Sequence, residues 1–173
     1  NLCNAKLQED GMSVRNLIRQ SNVTLLCTTD DPVDSLEWHK VIAEDATFDV
    51  QVLPAWRPDK AMNIEKPDYA EYLVKLGDAA GMEIRSFGDL KTALKKRMEF
   101  FDSMGCKVSD HALEYVMYAP AEESRIEELF SKRLEGKALT KEEVLQFKTA
   151  YMIFVGKEYH RLGWAMQLHY GCK

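Results

Sequence analysis

Val23-Thr-Leu-Leu-Cys-Thr-Thr29, followed at once by Asp30-Asp31-Pro32, is the stretch that decides the fold. A continuous β-branched apolar run predicts a strand buried on both faces, the habit of parallel sheets covered by helices. Asp31 reads as a helix N-cap with Pro32 at the first helical position, and Leu36, Val41 and Ile42 recur behind it at helical spacing. Strand, cap and helix make the start of a βα unit, and the rest of the chain repeats the pattern.

Phe48-Asp-Val-Gln-Val-Leu53 predicts a second strand that stops at Pro54. Two helices follow. One spans 68–80, with Tyr69, Tyr72, Leu73 and Leu76 on one face and Gly81 as its stop. The other spans 86–104, with Ser86 as N-cap, Leu90, Leu94, Met98 and Phe101 on its apolar face, and Gly105 at its end. Cys106 to His111 reads as a third strand. A charged helix over 122–134 closes at Gly136, and Thr140-Lys-Glu-Glu143 is a capping box that opens a long helix ending at Gly163. Trp164 to Tyr170 is the fourth strand. Strands separated by helices argue for right-handed parallel crossovers, so residues 1–173 read as one helix-rich α/β domain.

Composition narrows the function classes. The chain has 173 residues, 46% hydrophobic and 29% charged, with a formal net charge of −5. A mildly acidic chain with no basic run is a poor partner for nucleic acid or an anionic membrane. No apolar stretch approaches the length of a membrane span, and the sequence does not open on a basic-then-apolar stretch of the secretory kind, so a soluble cytoplasmic protein is expected. Cysteines at 3, 27, 106 and 172 form no C-x-x-C pair and read as reduced, mostly buried thiols.

In a parallel α/β sheet the site lies beyond the carboxyl ends of the strands. Each predicted strand here discharges polar residues at that end: Asp30 and Asp31, then Arg57 and Asp59, then Asp110 and His111, and finally His169. Asp31 is expected to be a cap, whereas Asp30, Asp59 and Asp110 are open between structural and functional roles. Arg57 either pairs with Asp59 in a turn or holds a substrate carboxylate bidentately. His111 is open between metal ligand, general base and loop residue, and His169 between core residue and rim. His39 and His160 read as solvated. No Gly-rich phosphate loop, G-x-S-x-G elbow or H-x-H pair occurs. The residues by themselves point to a small-molecule site, with an anionic substrate, on a parallel α/β rim.

Five strings make the sequence resemble the uronate isomerase (glucuronate isomerase) family of the amidohydrolase superfamily. They are Cys27-Thr-Thr-Asp-Asp-Pro-Val-Asp-Ser-Leu-Glu37, Leu53-Pro-Ala-Trp-Arg-Pro-Asp-Lys60, Gly105-Cys-Lys-Val-Ser-Asp-His-Ala-Leu113, Gln146-Phe-Lys-Thr-Ala150 and Leu168-His-Tyr-Gly171. The resemblance implies part of a TIM (β/α)8 barrel, about four parallel strands and roughly strands three to six, with helical insertions over 68–104 and 122–162. It implies an aldose–ketose isomerisation of D-glucuronate to D-fructuronate, and of D-galacturonate to D-tagaturonate, through a cis-enediol. A divalent metal, commonly zinc, goes with that activity.

Carried onto this sequence, the resemblance makes Arg57 and His169 substrate-binding residues and His111 a metal ligand. The family's H-x-H metal pair is missing here, and its catalytic Asp is expected outside this chain. The piece is therefore expected to bind no metal tightly and to show no turnover alone. Two alternatives stand beside this reading. One is a helical module that self-associates through exposed strand edges. The other is a metal-dependent hydrolase of the same superfamily, against which the 56–60 string speaks.

Overall fold

A computed structural model describes residues 1–171, so the thiol expectation for Cys172 lies outside the described residues. Two short helices, α1 (Leu2–Lys6) and α2 (Val14–Gln20), precede β1 (Leu25–Cys27), α3 (Glu37–Glu44), β2 (Gln51–Leu53) and α4 (Asp59–Met62). Then come α5 (Tyr69–Ala80), α6 (Phe87–Ser103), β3 (Val108–Leu113), α7 (Glu123–Leu134), α8 (Lys141–Leu162) and β4 (Ala165–Tyr170).

Both strand pairs, β1 with β2 and β3 with β4, are parallel, as the alternation of strands and helices predicts. Trp56 joins them. It bridges Asp30 on one side and Ser109 on the other, both in parallel sense. Its amide donates to Val108 O at 3.0 Å and its carbonyl accepts from Asp110 N at 2.8 Å, while Arg57 N donates to Asp30 O at 2.9 Å. All four strand ends therefore open in one direction.

The helices α5 to α8 form where the sequence places them. Ser86 caps α6 through Asp89 N at 3.0 Å, and Thr140 and Glu143 close a reciprocal capping box on α8. Gly163, at φ 69°, ends α8 in the left-handed region and turns the chain into β4. Gly105 has φ 89°, and a Cβ there would come within 3.0 Å of Leu53 Cδ2, so the entry to β3 needs a glycine twice over. The core sits between the strands and α5–α8. Trp56, fully buried, meets Phe101 edge-on at 4.9 Å, and Phe87, Phe130, Phe147 and Tyr69 form a second aromatic cluster.

Several expectations need correction. β1 is three residues long and not buried on both faces, since Leu25 is 47% exposed. The described residues supply it with one strand neighbour, β2, and with cover that does not reach Leu25. The helix after it starts at Glu37 rather than at Pro32. Asp31 Oδ1 accepts from Val33 N at 3.1 Å and Asp34 Oδ1 from Leu36 N at 2.7 Å, so two aspartate turns occupy the backbone first. Asp31 is thus a turn residue, not a cap. His39 is buried rather than solvated, whereas His160 is exposed as expected. Cys106 is buried, but Cys3 and Cys27 are exposed.

Candidate functional site

Strand alternation decides which polar residues meet. Side chains along a strand alternate faces, and paired residues in a ladder share one. Asp30, Trp56 and Ser109 therefore share a face, and it is the one the helices cover. His111 follows Ser109 by two residues and joins that face, where it is fully buried. Arg57, Asp110 and His169 belong to the opposite, open face, with Ala112 and His169 as ladder partners.

Those three residues come together. Asp110 Oδ2 lies 3.5 Å from Arg57 Nη1, and Asp110 Oδ1 lies 3.6 Å from His169 Nε2. Arg57 also donates Nε to Asp59 Oδ2 at 3.1 Å, the turn pairing that is one of the two roles open to it. The pairing leaves the Arg57 side chain 39% exposed and that of His169 53% exposed, while those of Asp110 and Asp59 are 13% and 16% exposed. A cation and an imidazole thus stand accessible on either side of a sheltered carboxylate.

Asp59 is tied in from three directions. Burial, the largest single influence, raises its pKa, but the facing His111 imidazole, the Arg57 guanidinium and the Ala112 amide together outweigh it and hold the carboxyl below its ordinary value. A cleft of about 330 Å³ opens beside Asp59 and Ala112, bounded by Asn63, Glu65, Tyr115 and Lys148.

The other sequence candidates lie elsewhere. Asp30 Oδ2 accepts from Thr28 Oγ1 at 2.6 Å and from Ala55 N at 3.2 Å, so it ties β1 to the end of β2. Thr28 Oγ1 also meets the buried His39 Nε2 at 2.7 Å. Asp31 takes the Tyr72 hydroxyl at 2.9 Å and faces Lys60 at 3.1 Å. His111 Nε2 meets Tyr159 OH at 3.0 Å, and its Nδ1 faces Asp59 Oδ1 at 3.7 Å.

A divalent metal fits this donor set poorly. Among the described residues no three His, Cys, Asp or Glu side chains gather closely enough to hold one. Both His111 nitrogens face protein groups, and Asp110 and His169 stand on the opposite face.

Tyr159 is the participant that sequence reading missed. It comes from α8, 48 residues beyond His111, and nothing local marks it. The separation of Asp110 from His111 was detectable in principle, because adjacent residues within one strand must face opposite ways. A strand that ends at His111 leaves its last side chain free to turn to the rim, whereas β3 runs on to Leu113 and fixes His111 on the covered face.

Comparison with known proteins gives a consistent result. The family model described as glucuronate isomerase matches residues 1–173. The uronate isomerase of Lachnospira eligens is 68% identical over 171 residues, covering 99% of this chain and 36% of the relative. That of Lachnoclostridium phytofermentans is 67% identical over 172 residues, covering 99% and 37%. Among solved structures, the Thermotoga maritima uronate isomerase superposes with a TM-score of 0.84 at 39% identity, over 90% of this chain and 34% of that one. The Caulobacter crescentus glucuronate isomerase gives 0.87 at 26% identity, over 97% and 35%. The chain thus spans just over a third of the length of these relatives.

Proposed function

Because the chain belongs to the glucuronate isomerase family, matched over its whole length, we propose that it supplies part of the active-site rim of a uronate isomerase. The reaction is the aldose–ketose interconversion of D-glucuronate with D-fructuronate, and of D-galacturonate with D-tagaturonate, in the cytoplasm. A proton leaves C2 as the enediol forms and is returned at C1, while the oxygens exchange hydroxyl and carbonyl character. The four parallel strands are read as roughly strands three to six of a TIM barrel, with 68–104 and 122–162 as helical insertions. The donors for a divalent metal, commonly zinc, are assigned to chain outside this segment.

One observation carries the reading: Asp110 is held between Arg57 and His169 at the open strand ends. A carboxylate so placed exchanges a proton with a sugar hydroxyl, the guanidinium donates to an oxygen that gains negative charge, and the imidazole orients the carboxylate. Arg57 and His169 are the substrate-binding residues.

The test is a chimera in which this segment replaces its counterpart in the Lachnospira eligens relative. It is assayed by NMR in D2O on D-glucuronate and D-galacturonate. Turnover with deuterium entering the sugar is expected from the chimera and none from the isolated 173-residue chain. A folded chimera that leaves both uronates unchanged would overturn the proposal.

A second reading rests on the outer strands. β1 and β4 lie at the two ends of the strand order, and Leu25 and Leu168 are 47% and 43% exposed. Such edges pair with a second copy. Light scattering of the isolated chain decides it: mass rising with concentration supports self-association, and a constant monomer mass removes it.

A further inference from the structure

Two buried polar atoms near the rim lack a hydrogen-bond partner, and they face one another. His111 Nδ1 and Asp59 Oδ1 are both shielded from solvent and both unpaired. They stand 3.7 Å apart. One is able to donate and the other can only accept, so closing the gap by roughly 0.7 Å completes the bond. Hydrogen bonds around a reaction centre are commonly long in the empty protein and tighten on ligand binding. Behind the imidazole, Tyr159 OH lies 3.0 Å from Nε2 and anchors it to α8. In front, the other oxygen of Asp59 receives Arg57 Nε at 3.1 Å and Ala112 N at 3.2 Å.

We propose that His111 is a positioning residue, whose Nδ1–H bonds Asp59 and thereby sets the Arg57 guanidinium for substrate. The chain of contacts runs from Tyr159 through His111 and Asp59 to Arg57, across the strand layer from the helix side to the open side. Holding both oxygens of Asp59 fixes its carboxylate about the terminal torsion. Arg57 holds one and His111 holds the other. The role replaces metal ligation for His111, since neither ring nitrogen is left over for a metal. The consequence for substrate rests on the isomerase reading, but the hydrogen-bonding pattern does not.

The pattern is tested by long-range 1H–15N NMR on the chain labelled at histidine nitrogens, with the His111 signal assigned by its loss in His111→Asn. The same spectra are recorded on the labelled chimera if the isolated chain does not fold. A proton on Nδ1 is expected, with the balance moving towards Nε2 in Asp59→Asn. A wild-type His111 protonated on Nε2 alone overturns the proposal.

Kinetics of the chimera supply the second measurement. An asparagine amide nitrogen falls near the Nδ1 position, whereas glutamine reaches towards Nε2. His111→Asn is expected to keep KM within about threefold of wild type, and His111→Gln to raise it about tenfold or more, at similar thermal midpoints. Equal KM changes in the two variants overturn the positioning role. An inactive wild-type chimera defeats the isomerase reading instead, and the NMR result still decides the role of His111.

Discussion

Asp110 reaches diagonally across the β3–β4 ladder to His169, Oδ1 to Nε2 at 3.6 Å, with both residues on the open face of the strands. The imidazole flanks an oxygen that is shielded from solvent and has no hydrogen-bond partner, and Arg57 approaches the second oxygen from the other side. Asp110→Asn keeps the shape and the acceptor towards Arg57 but removes the capacity to carry a proton. In the chimera with the Lachnospira eligens relative, kcat is expected to fall about 100-fold or more with KM little changed. Steady-state rates on D-glucuronate check it, and a kcat within about threefold of wild type would take Asp110 out of the chemistry.

Arg97 fixes the loop that follows β1. Its Nε donates to Pro32 O at 2.7 Å, Nη2 to Asp34 O at 2.7 Å and Nη1 to Ala79 O at 3.2 Å, with the guanidinium 4.3 Å above the Phe100 ring. The first two bonds claim carbonyls of the 31–36 loop, where Leu36 is buried in a left-handed conformation (φ 53°) that a side chain adopts reluctantly. Arg97→Ala leaves those carbonyls unpaired and opens a void. The expected loss is about 3 kcal/mol, read as a lower urea midpoint. A midpoint unchanged from wild type would show that the loop holds itself.

Much of this was legible in the sequence, and the remainder was hidden for identifiable reasons. Caps and stops are local, so Ser86, Thr140, Glu143, Gly81 and Gly163 announced α5, α6 and α8 to within a residue or two. Parallel order followed from alternation of strands and helices. Burial is not local: the run at 23–29 has the composition of a doubly covered strand, yet Leu25 and Cys27 remain exposed. His39, amid charged neighbours on its helix, gave no hint that Thr28 would draw it inward. Of the rim residues, Arg57, Asp110 and His169 converge, whereas alternation along β3 sends His111, one residue after Asp110, to the far side.

Thiol chemistry follows the corrected burial. Cys106 is enclosed, its Sγ lies 3.4 Å from Val108 O, and burial pushes its pKa up to about 11. At pH 8 only roughly one part in a thousand of that group is thiolate, and the reagent has no path to it. Cys3 and Cys27 are exposed. Iodoacetamide at pH 8 is expected to alkylate Cys3 and Cys27 within minutes and Cys106 only in denaturant, as read by peptide mass mapping. Rapid native labelling of Cys106 would contradict its packing beneath the strands.

The capping box on α8 makes a specific acid response. Glu143 accepts Lys132 Nζ at 2.9 and 2.8 Å, the Thr140 amide at 2.8 Å and Arg125 Nη2 at 3.1 Å. The Lys132 ammonium, foremost, and the Thr140 amide hold its carboxyl down to about 2, against an ordinary value of 4.5. A carboxyl whose folded pKa lies below its unfolded one stabilises the fold fully above the unfolded value. That stability is lost as pH falls through the folded value. The contribution of Glu143 is therefore complete above pH 4.5 and fades towards pH 2. Glutamine still accepts the Thr140 amide but has no charge to lose. Urea midpoints of wild type and Glu143→Gln are expected to differ by a constant amount above pH 4.5 and to converge as pH approaches 2. The difference cancels the other acidic groups, which titrate in both proteins alike. Curves that stay parallel down to pH 2 would mean that Lys132 and Thr140 stabilise the helix start through geometry alone.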